Sequence, residues 1–240
     1  MSIYPSRLVR RDSVAHETLT CVLERPAGFA FRAGQYVDVT LLEPSFNDAL
    51  GPTRSFSIAS APREHDLLLL MRMRDSAFKR SLAAMPPGMP LLIEGPADDL
   101  ALQLSDARET VMLAGGVGIA PFLSALREAD CDGSHVAATL FYSNRRPEDA
   151  AFLDELRALA ARIPGFRVVP IMTRMAESSC AWTGETERLA LPLLKRYLPA
   201  LPGPQYYLSG STLFISGMCQ EIERAGVPGA DIRIEMYTGY

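Results

Sequence analysis

Residues 51–60 read GPTRSFSIAS. A cation, Arg54, and an aromatic ring, Phe56, stand among the hydroxyls of Thr53, Ser55, Ser57 and Ser60. A guanidinium is planar and bonds two oxygens of a phosphate at once, whereas small hydroxyls suit the polar edge of a ring. In an extended chain residues 54, 56 and 58 project to one face and 55 and 57 to the other, so a ligand lying on the strand meets alternate side chains plus backbone. Two readings follow: a strand with one solvated face, or the floor of a site for an anionic, ring-bearing ligand.

A second stretch handles anions by a different device. Residues 110–121 read TVMLAGGVGIAP. A strand-like run ends in Gly115, Gly116, Val117 and Gly118, and Pro121 opens a helical pattern. A helix N-terminus carries unpaired N–H groups and partial positive charge. Glycines there remove the side chains that would keep a phosphate away, and proline fits a first turn that needs no N–H. The loop departs from G-x-G-x-x-G, with proline in place of the third glycine. It is either a phosphate cradle or a tight structural turn. The next strand-like run, Val136 to Tyr142, leads into Ser143, Asn144, Arg145 and Arg146, with no acid before Glu148 and Asp149. In dinucleotide folds this place meets the adenosine ribose. Arginines and hydroxyls there suit a 2′-phosphate, a slight lean toward NADPH over NADH; the alternative is a pair of solvated loop arginines.

The elements that must position these groups fall into two kinds. Leu8 to Val14, Glu17 to Glu24, Gln35 to Leu42, Ser55 to Ala59, Asp66 to Arg74 and Met89 to Glu94 read as short strands separated by Pro/Gly punctuation. One helix interrupts them near Ser76 to Ala84. Such spacing predicts a small antiparallel barrel or sandwich. Near Ser105 the pattern changes to strand–helix alternation. Strands are expected at Thr110 to Ala114, Val136 to Tyr142, Phe166 to Met172, Tyr206 to Ser209 and Asp231 to Met236. Helices are expected at Pro121 to Ala129, Glu148 to Arg162, Glu185 to Tyr197 and Thr212 to Ala225. Alternation of this kind predicts a parallel sheet covered on both faces. The expected organisation is a β-domain over residues 1–103 and an α/β domain over 104–240.

Composition narrows the functions. Among 240 residues, 48% are hydrophobic and 22% charged, ordinary for a globular protein. The net charge of −4 creates no general field for nucleic acid or acidic lipid, so neither partner is expected. Cys21, Cys131, Cys180 and Cys219 are far apart in sequence, as are His16, His65 and His135. No C-x-x-C pair and no iron–sulfur ligand set results, and no metal is expected. The N-terminus lacks a signal-peptide pattern, and the glycine-interrupted run 110–126 is short for a membrane span. A cytoplasmic protein with no membrane insertion is expected.

Five short motifs stand in order: R-S-F-S at Arg54 to Ser57, G-P at Gly95-Pro96, G-G-V-G-I-A-P at 115 to 121, Y-Y-L-S-G-S at 206 to 211, and E-M-Y-T-G-Y at the C-terminus. Together they resemble the ferredoxin–NADP reductase-like flavoproteins across almost the whole chain. The resemblance implies a flavin-binding β-barrel joined to a pyridine-nucleotide-binding α/β domain. It implies that Arg54 pairs with the flavin phosphate, that Phe56 packs along the ring or ribityl chain, and that Ser55 and Ser57 hydrogen-bond it, Ser57 near flavin N5. Arg72 and the helix start at Ser76, Ala77, Phe78 and Lys79 would address the pyrophosphate. Gly115, Gly116, Val117, Gly118 and Pro121 would cradle the nucleotide, with Ser143, Arg145 and Arg146 beyond them. Ser209 and Gly210 stand where the family commonly has cysteine and glycine beside the nicotinamide. Glu235 would lie near the flavin, and Tyr237 or Tyr240 would cover its ring face.

The resemblance thus implies a flavin-dependent NAD(P)H oxidoreductase holding FAD rather than FMN, with Ser57, Ser209 and Glu235 at the reacting centre. Its acceptor is expected to be a separate protein, such as a ferredoxin or flavodoxin, or a small molecule. Two alternatives stay open: a reductase that uses flavin as substrate, and a non-enzymatic flavin- or nucleotide-binding redox sensor, which the loss of the family cysteine at Ser209 favours.

Overall fold

A computed structural model describes residues 2–98, 100 and 102–237. The first half is built on β1 (Ser2–Ala15), β2 (Thr18–Leu23), β3 (Tyr36–Leu41), β4 (Thr53–Ser57), β5 (Leu67–Arg72), α1 (Ala77–Ala84) and β6 (Pro90–Ala97). The strands are antiparallel, in the order β4-β3-β6-β1-β2-β5. A bridge between Ile58 and Leu69 joins the chain after β4 to β5, so the two edge strands meet and the sheet closes on itself. Period-two patterning turns Val37, Val39 and Leu41 of β3 inward. They meet Leu8, Ile58, Leu69, Leu91 and Ile93 in one core, and α1 adds Phe78 and Leu82 to it. Ser76 caps α1 by accepting the Lys79 N–H at 3.3 Å.

β1 is twice the expected length: the stretch Ser2–Arg7 pairs with β6 and Leu8–Ala15 with β2, with a register shift between Leu8 and Arg10. Its first residues are too polar to announce a strand, and pairing with β6 carries them.

The second half comprises β7 (Thr110–Gly115), α2 (Ala120–Asp132), β8 (Ala138–Asn144), α3 (Leu153–Arg162), β9 (Phe166–Met172), α4 (Leu191–Tyr197), β10 (Gln205–Ser211), α5 (Thr212–Arg224) and β11 (Ile232–Tyr237). The sheet is parallel, ordered β11-β10-β7-β8-β9. Alternate residues of β7 feed the two faces: Met112 and Ala114 pack with α2 and α3, Val111 and Leu113 with α4 and α5. After β9 the chain crosses back to place β10 beside β7. The strand order therefore reverses between the C-terminal ends of β7 and β10, and a crevice opens there.

Two helices start later than the sequence pattern predicts. Pro147–Asp149 form a short 3-10 turn and Phe152 adopts φ 59°, so α3 begins at Leu153 and not at Glu148. Glu185 is committed to a parallel bridge with Ile171, its carbonyl accepting the Met172 N–H, so α4 waits for Leu191-Pro192.

The halves are fastened beside the crevice. His16 N–H donates to Glu148 O at 2.7 Å and Ser124 Oγ donates to Ser60 O at 2.6 Å. Arg63 pairs with Glu128 and Asp132, and Arg127 with Glu64.

Candidate functional site

β4 ends at Ser57, β10 carries Ser209, and β11 sets Glu235 in register with Ser209. Ser57 Oγ donates to Glu235 Oε1 at 2.8 Å, and Ser209 Oγ donates to Glu235 Oε2 at 3.0 Å. All three are buried. One carboxylate thus ties a strand of the barrel to a strand of the parallel sheet. A buried carboxylate needs such donors, and here both come from residues expected at the reacting centre.

Ser57 and Glu235 line the first of two cavities. The first, about 440 Å³, is lined by Arg54, Ser55, Phe56, Ser57, Arg72, Ser76 and Lys79 from the barrel side and by Val117 and Glu235 from the other half. The second, about 330 Å³, is lined by Gly115, Gly116, Val117, Ser143, Arg145, Thr173 and Phe214, among others. Arg72 and Val117 line both. A ring in the first cavity and a dinucleotide in the second would therefore approach each other at the domain junction.

Arg54 reaches the first cavity from β4. Its Nη1 donates to the carbonyls of Leu50, Gly51 and Thr53 at 3.1, 3.0 and 2.6 Å. Its Nη2 is buried and has no hydrogen-bond partner among the described residues; Asp48 Oδ1 is 3.6 Å away. An orphaned guanidinium N–H beside a cavity fits a phosphate oxygen. Lys79 adds to the same charge. Burial first, then the neighbouring Arg74 and Arg54 guanidinia, lower its pKa to about 8. Cations that repel one another in a partly desolvated place favour an anion among them.

The other barrel residues sit as follows. Phe56 and Phe78 are core residues 5.8 Å apart, and only Phe56 reaches the cavity. Ser55 donates to Asp38 on the neighbouring strand. Ala77 is buried and its N–H donates to Asp48 Oδ2 at 3.2 Å, so the helix start already holds a carboxylate. Arg72 Nη2 donates to Asp149 Oδ1 at 3.1 Å, and Nη1 to His16 O and Thr18 Oγ1.

In the glycine loop, Gly116 has φ +55° and open space where a Cβ would stand. Gly118 serves packing instead, since a Cβ there would lie 2.1 Å from Ser209 O; the loop rests on β10. Pro121 is buried in the first turn of α2. Neither Gly118 nor Pro121 lines the second cavity. Beyond β8, Ser143 and the exposed Arg145 line it, whereas Arg146 does not. The Arg146 guanidinium is held by Asp149 at 2.8 and 3.2 Å. Burial works against the charge of Asp149, but hydrogen bonds from Arg146 and Arg72 hold its pKa down at about 2. Gly210 lies in β10, with φ +156°. Tyr237 is the last residue of β11, opposite Ser211. Tyr240 lies outside the described residues.

Thr173 and Phe214 border the second cavity, and Asp48 lies beside Arg54, without standing out in the sequence. Phe214 carries a faint signal: it is third in α5, and its N–H donates to the Ser211 cap at 3.4 Å.

A closed antiparallel sheet followed by a five-stranded parallel sheet is a fold that known proteins share. Residues 112–220 match the oxidoreductase NAD-binding domain family. The glycine betaine monooxygenase reductase subunit of Chromohalobacter salexigens is 27% identical over 212 residues, 87% of this chain and 56% of that protein. Ferredoxin–NADP reductase B of Sorangium cellulosum is 28% identical over 245 residues, covering 98% of this chain and 97% of that one. A ferredoxin NADP+ reductase from Neisseria gonorrhoeae with bound FAD and NADP superposes with a TM-score of 0.77 at 23% identity, over 99% of each chain. Over nearly its whole length the chain is similar to ferredoxin–NADP reductase-like proteins, with the NAD-binding domain match over residues 112–220. It spans little more than half of the first of these relatives. Among the described residues no helix is long and apolar enough to cross a membrane, and no group of side chains could hold a metal ion.

Proposed function

We propose that the chain takes reducing equivalents from NAD(P)H through FAD and delivers them to a separate electron-acceptor protein in the cytoplasm. The observation that carries this reading is the Ser57–Glu235–Ser209 bridge, set where a phosphate-ready barrel cavity meets the crevice of the parallel sheet. FAD held there would supply a hydride acceptor able to pass electrons on singly or in pairs.

The protein's part is to bind and align. Arg54 Nη2 and Lys79 hold the flavin phosphate, Phe56 supports the apolar side of the ligand, and Ser57 addresses the polar edge of the ring. Gly116 and Val117 leave room for the nucleotide phosphates, with Ser143 and Arg145 at the ribose. Ser209 and Glu235 fix the nicotinamide end. Hydride transfer needs close, oriented partners more than a side-chain acid, so serine at 209 is compatible with turnover. NADPH is preferred to NADH through Arg145, the arginine of the pair left facing the cavity. Reductase components of oxygenase systems among the relatives support an oxygenase or its ferredoxin as acceptor.

An anaerobic titration tests the reading. The purified protein, as isolated or reconstituted with FAD, is yellow and bleaches on addition of NADPH. A protein that takes up neither FAD nor FMN ends the proposal.

A further inference from the structure

The loop between β3 and β4 carries an acid at an unexpected place. Phe46 N–H donates to Ser81 Oγ at 2.9 Å, and that hydroxyl donates back to Phe46 O at 3.1 Å. The Arg80 guanidinium stands 4.5 Å from the Phe46 ring. These contacts lay the loop along α1. Two residues on, Asp48 Oδ2 accepts the first N–H of α1, from Ala77, at 3.2 Å. Asp48 Oδ1 accepts the Leu50 N–H at 2.9 Å and lies 3.6 Å from Arg54 Nη2. Beyond Asp48 the Leu50 side chain is 74% exposed, while the Leu50 and Gly51 carbonyls accept from Arg54 Nη1.

The groups around Asp48 are those a phosphate would use: a helix N–H, a guanidinium whose Nη2 has no hydrogen-bond partner among the described residues, and the half-buried Lys79 on the same cavity. Asp48 and Arg54 keep only 30% and 22% of their side-chain surface exposed, so charge there is incompletely screened. Two anions cannot share that position without repulsion.

We propose that Asp48 is a built-in competitor for the flavin phosphate, holding affinity low enough that flavin exchanges with solution. The proposal rests on the flavin reading given above and makes the chain a reductase whose flavin behaves partly as substrate. To bind, a flavin phosphate displaces the carboxylate from Ala77 N–H and Arg54, and the Leu50 end of the loop moves with it.

Asp48→Asn tests this, because the charge is lost at almost unchanged size while the amide oxygen still accepts one of the two N–H groups, that of Ala77 or that of Leu50. Apo forms of the wild type and the variant are titrated with FAD and FMN. Their thermal transitions are recorded with and without inorganic pyrophosphate, which presents the anion without the ring. The expected result is a dissociation constant for FAD about tenfold lower in the variant, as for loss of one partly screened like charge, with a larger upward shift of Tm by pyrophosphate. If pyrophosphate shifts both proteins equally, Asp48 does not hold the anion position and the proposal falls, whatever FAD does. If neither protein binds FAD but pyrophosphate favours the variant, the flavin reading fails and the assignment of Asp48 stands.

Discussion

Ser57 and Glu235 are 178 residues apart in sequence and 2.8 Å apart in space. One closes a strand of the barrel and the other belongs to the last strand of the parallel sheet, so their bond joins the two halves at the centre of the site. Ser209 completes it from the neighbouring strand at 3.0 Å. Ser57→Ala removes one donor from a buried carboxylate. A stability loss of roughly 1–3 kcal/mol is expected from the unsatisfied acceptor. The hydride-transfer rate should fall by about 10- to 100-fold as nicotinamide and ring lose alignment. Rapid-mixing reduction by NADPH with flavin content measured alongside checks it; an unchanged rate at full flavin content would show that the bridge is only a fastening.

The glycine loop separates two roles that its sequence merges. A methyl group at 118 meets the Ser209 carbonyl, a backbone atom that cannot step aside, whereas one at 116 meets open space. Gly118→Ala should therefore lower stability by about 1–3 kcal/mol, as overpacking does. Gly116→Ala is strained by its φ of +55° but acts mainly by raising KM for NADPH. Paired melting curves and steady-state kinetics distinguish them. The opposite order, with position 116 the more destabilised, would contradict the packing.

The two glycines mark where sequence patterning stops being informative. Strand β3 alternates with period two, whereas β7 and β10 are continuously buried runs, and the antiparallel and parallel halves are legible from that contrast. What links Ser57 to Glu235 is a long-range pairing that no local pattern encodes. Arg146 reads like Arg145 because composition cannot show that Asp149 holds the first and leaves the second exposed. Asp48 gives no sequence signal for a related reason: its importance comes from the loop lying along α1, fixed by Ser81 and Phe46 rather than by anything adjacent in sequence.

Flavin affinity should depend on pH through Lys79. Its pKa is lowered to about 8 by burial and by Arg74 and Arg54, with Asp48 the acid facing Arg54. A bound phosphate favours the ammonium and raises that pKa, so affinity holds below pH 8 and declines as pH rises above it. The apo protein behaves in the opposite sense. A lysine whose folded pKa lies below its ordinary 10.5 contributes stability that increases between about pH 8 and 10.5. Equilibrium titrations with FAD from about pH 6.5 to 9.5, set against Lys79→Gln, test this. A decline of equal size in the variant would assign the dependence elsewhere.

The two arginines after β8 should respond differently to removal. Arg145→Ala is expected to raise KM for NADPH and leave that for NADH unchanged, since its side chain borders the cavity and a 2′-phosphate is the added group. Arg146→Ala should act on stability instead. It takes one of two guanidinia from Asp149, whose side chain is only 4% exposed and whose pKa those hydrogen bonds hold at about 2 despite burial. A carboxylate with a depressed folded pKa contributes stability that is present above its ordinary value of 3.8 and lost as pH falls toward 2. In the variant the Asp149 pKa moves up, so this part of the acid unfolding transition begins at higher pH. Acid titrations followed by circular dichroism, beside kinetics with both nucleotides, separate the cases. Equal changes in KM for NADPH and NADH in Arg145→Ala would remove the 2′-phosphate role, and an NADPH-specific defect in Arg146→Ala would show that Asp149 releases its partner when the nucleotide binds.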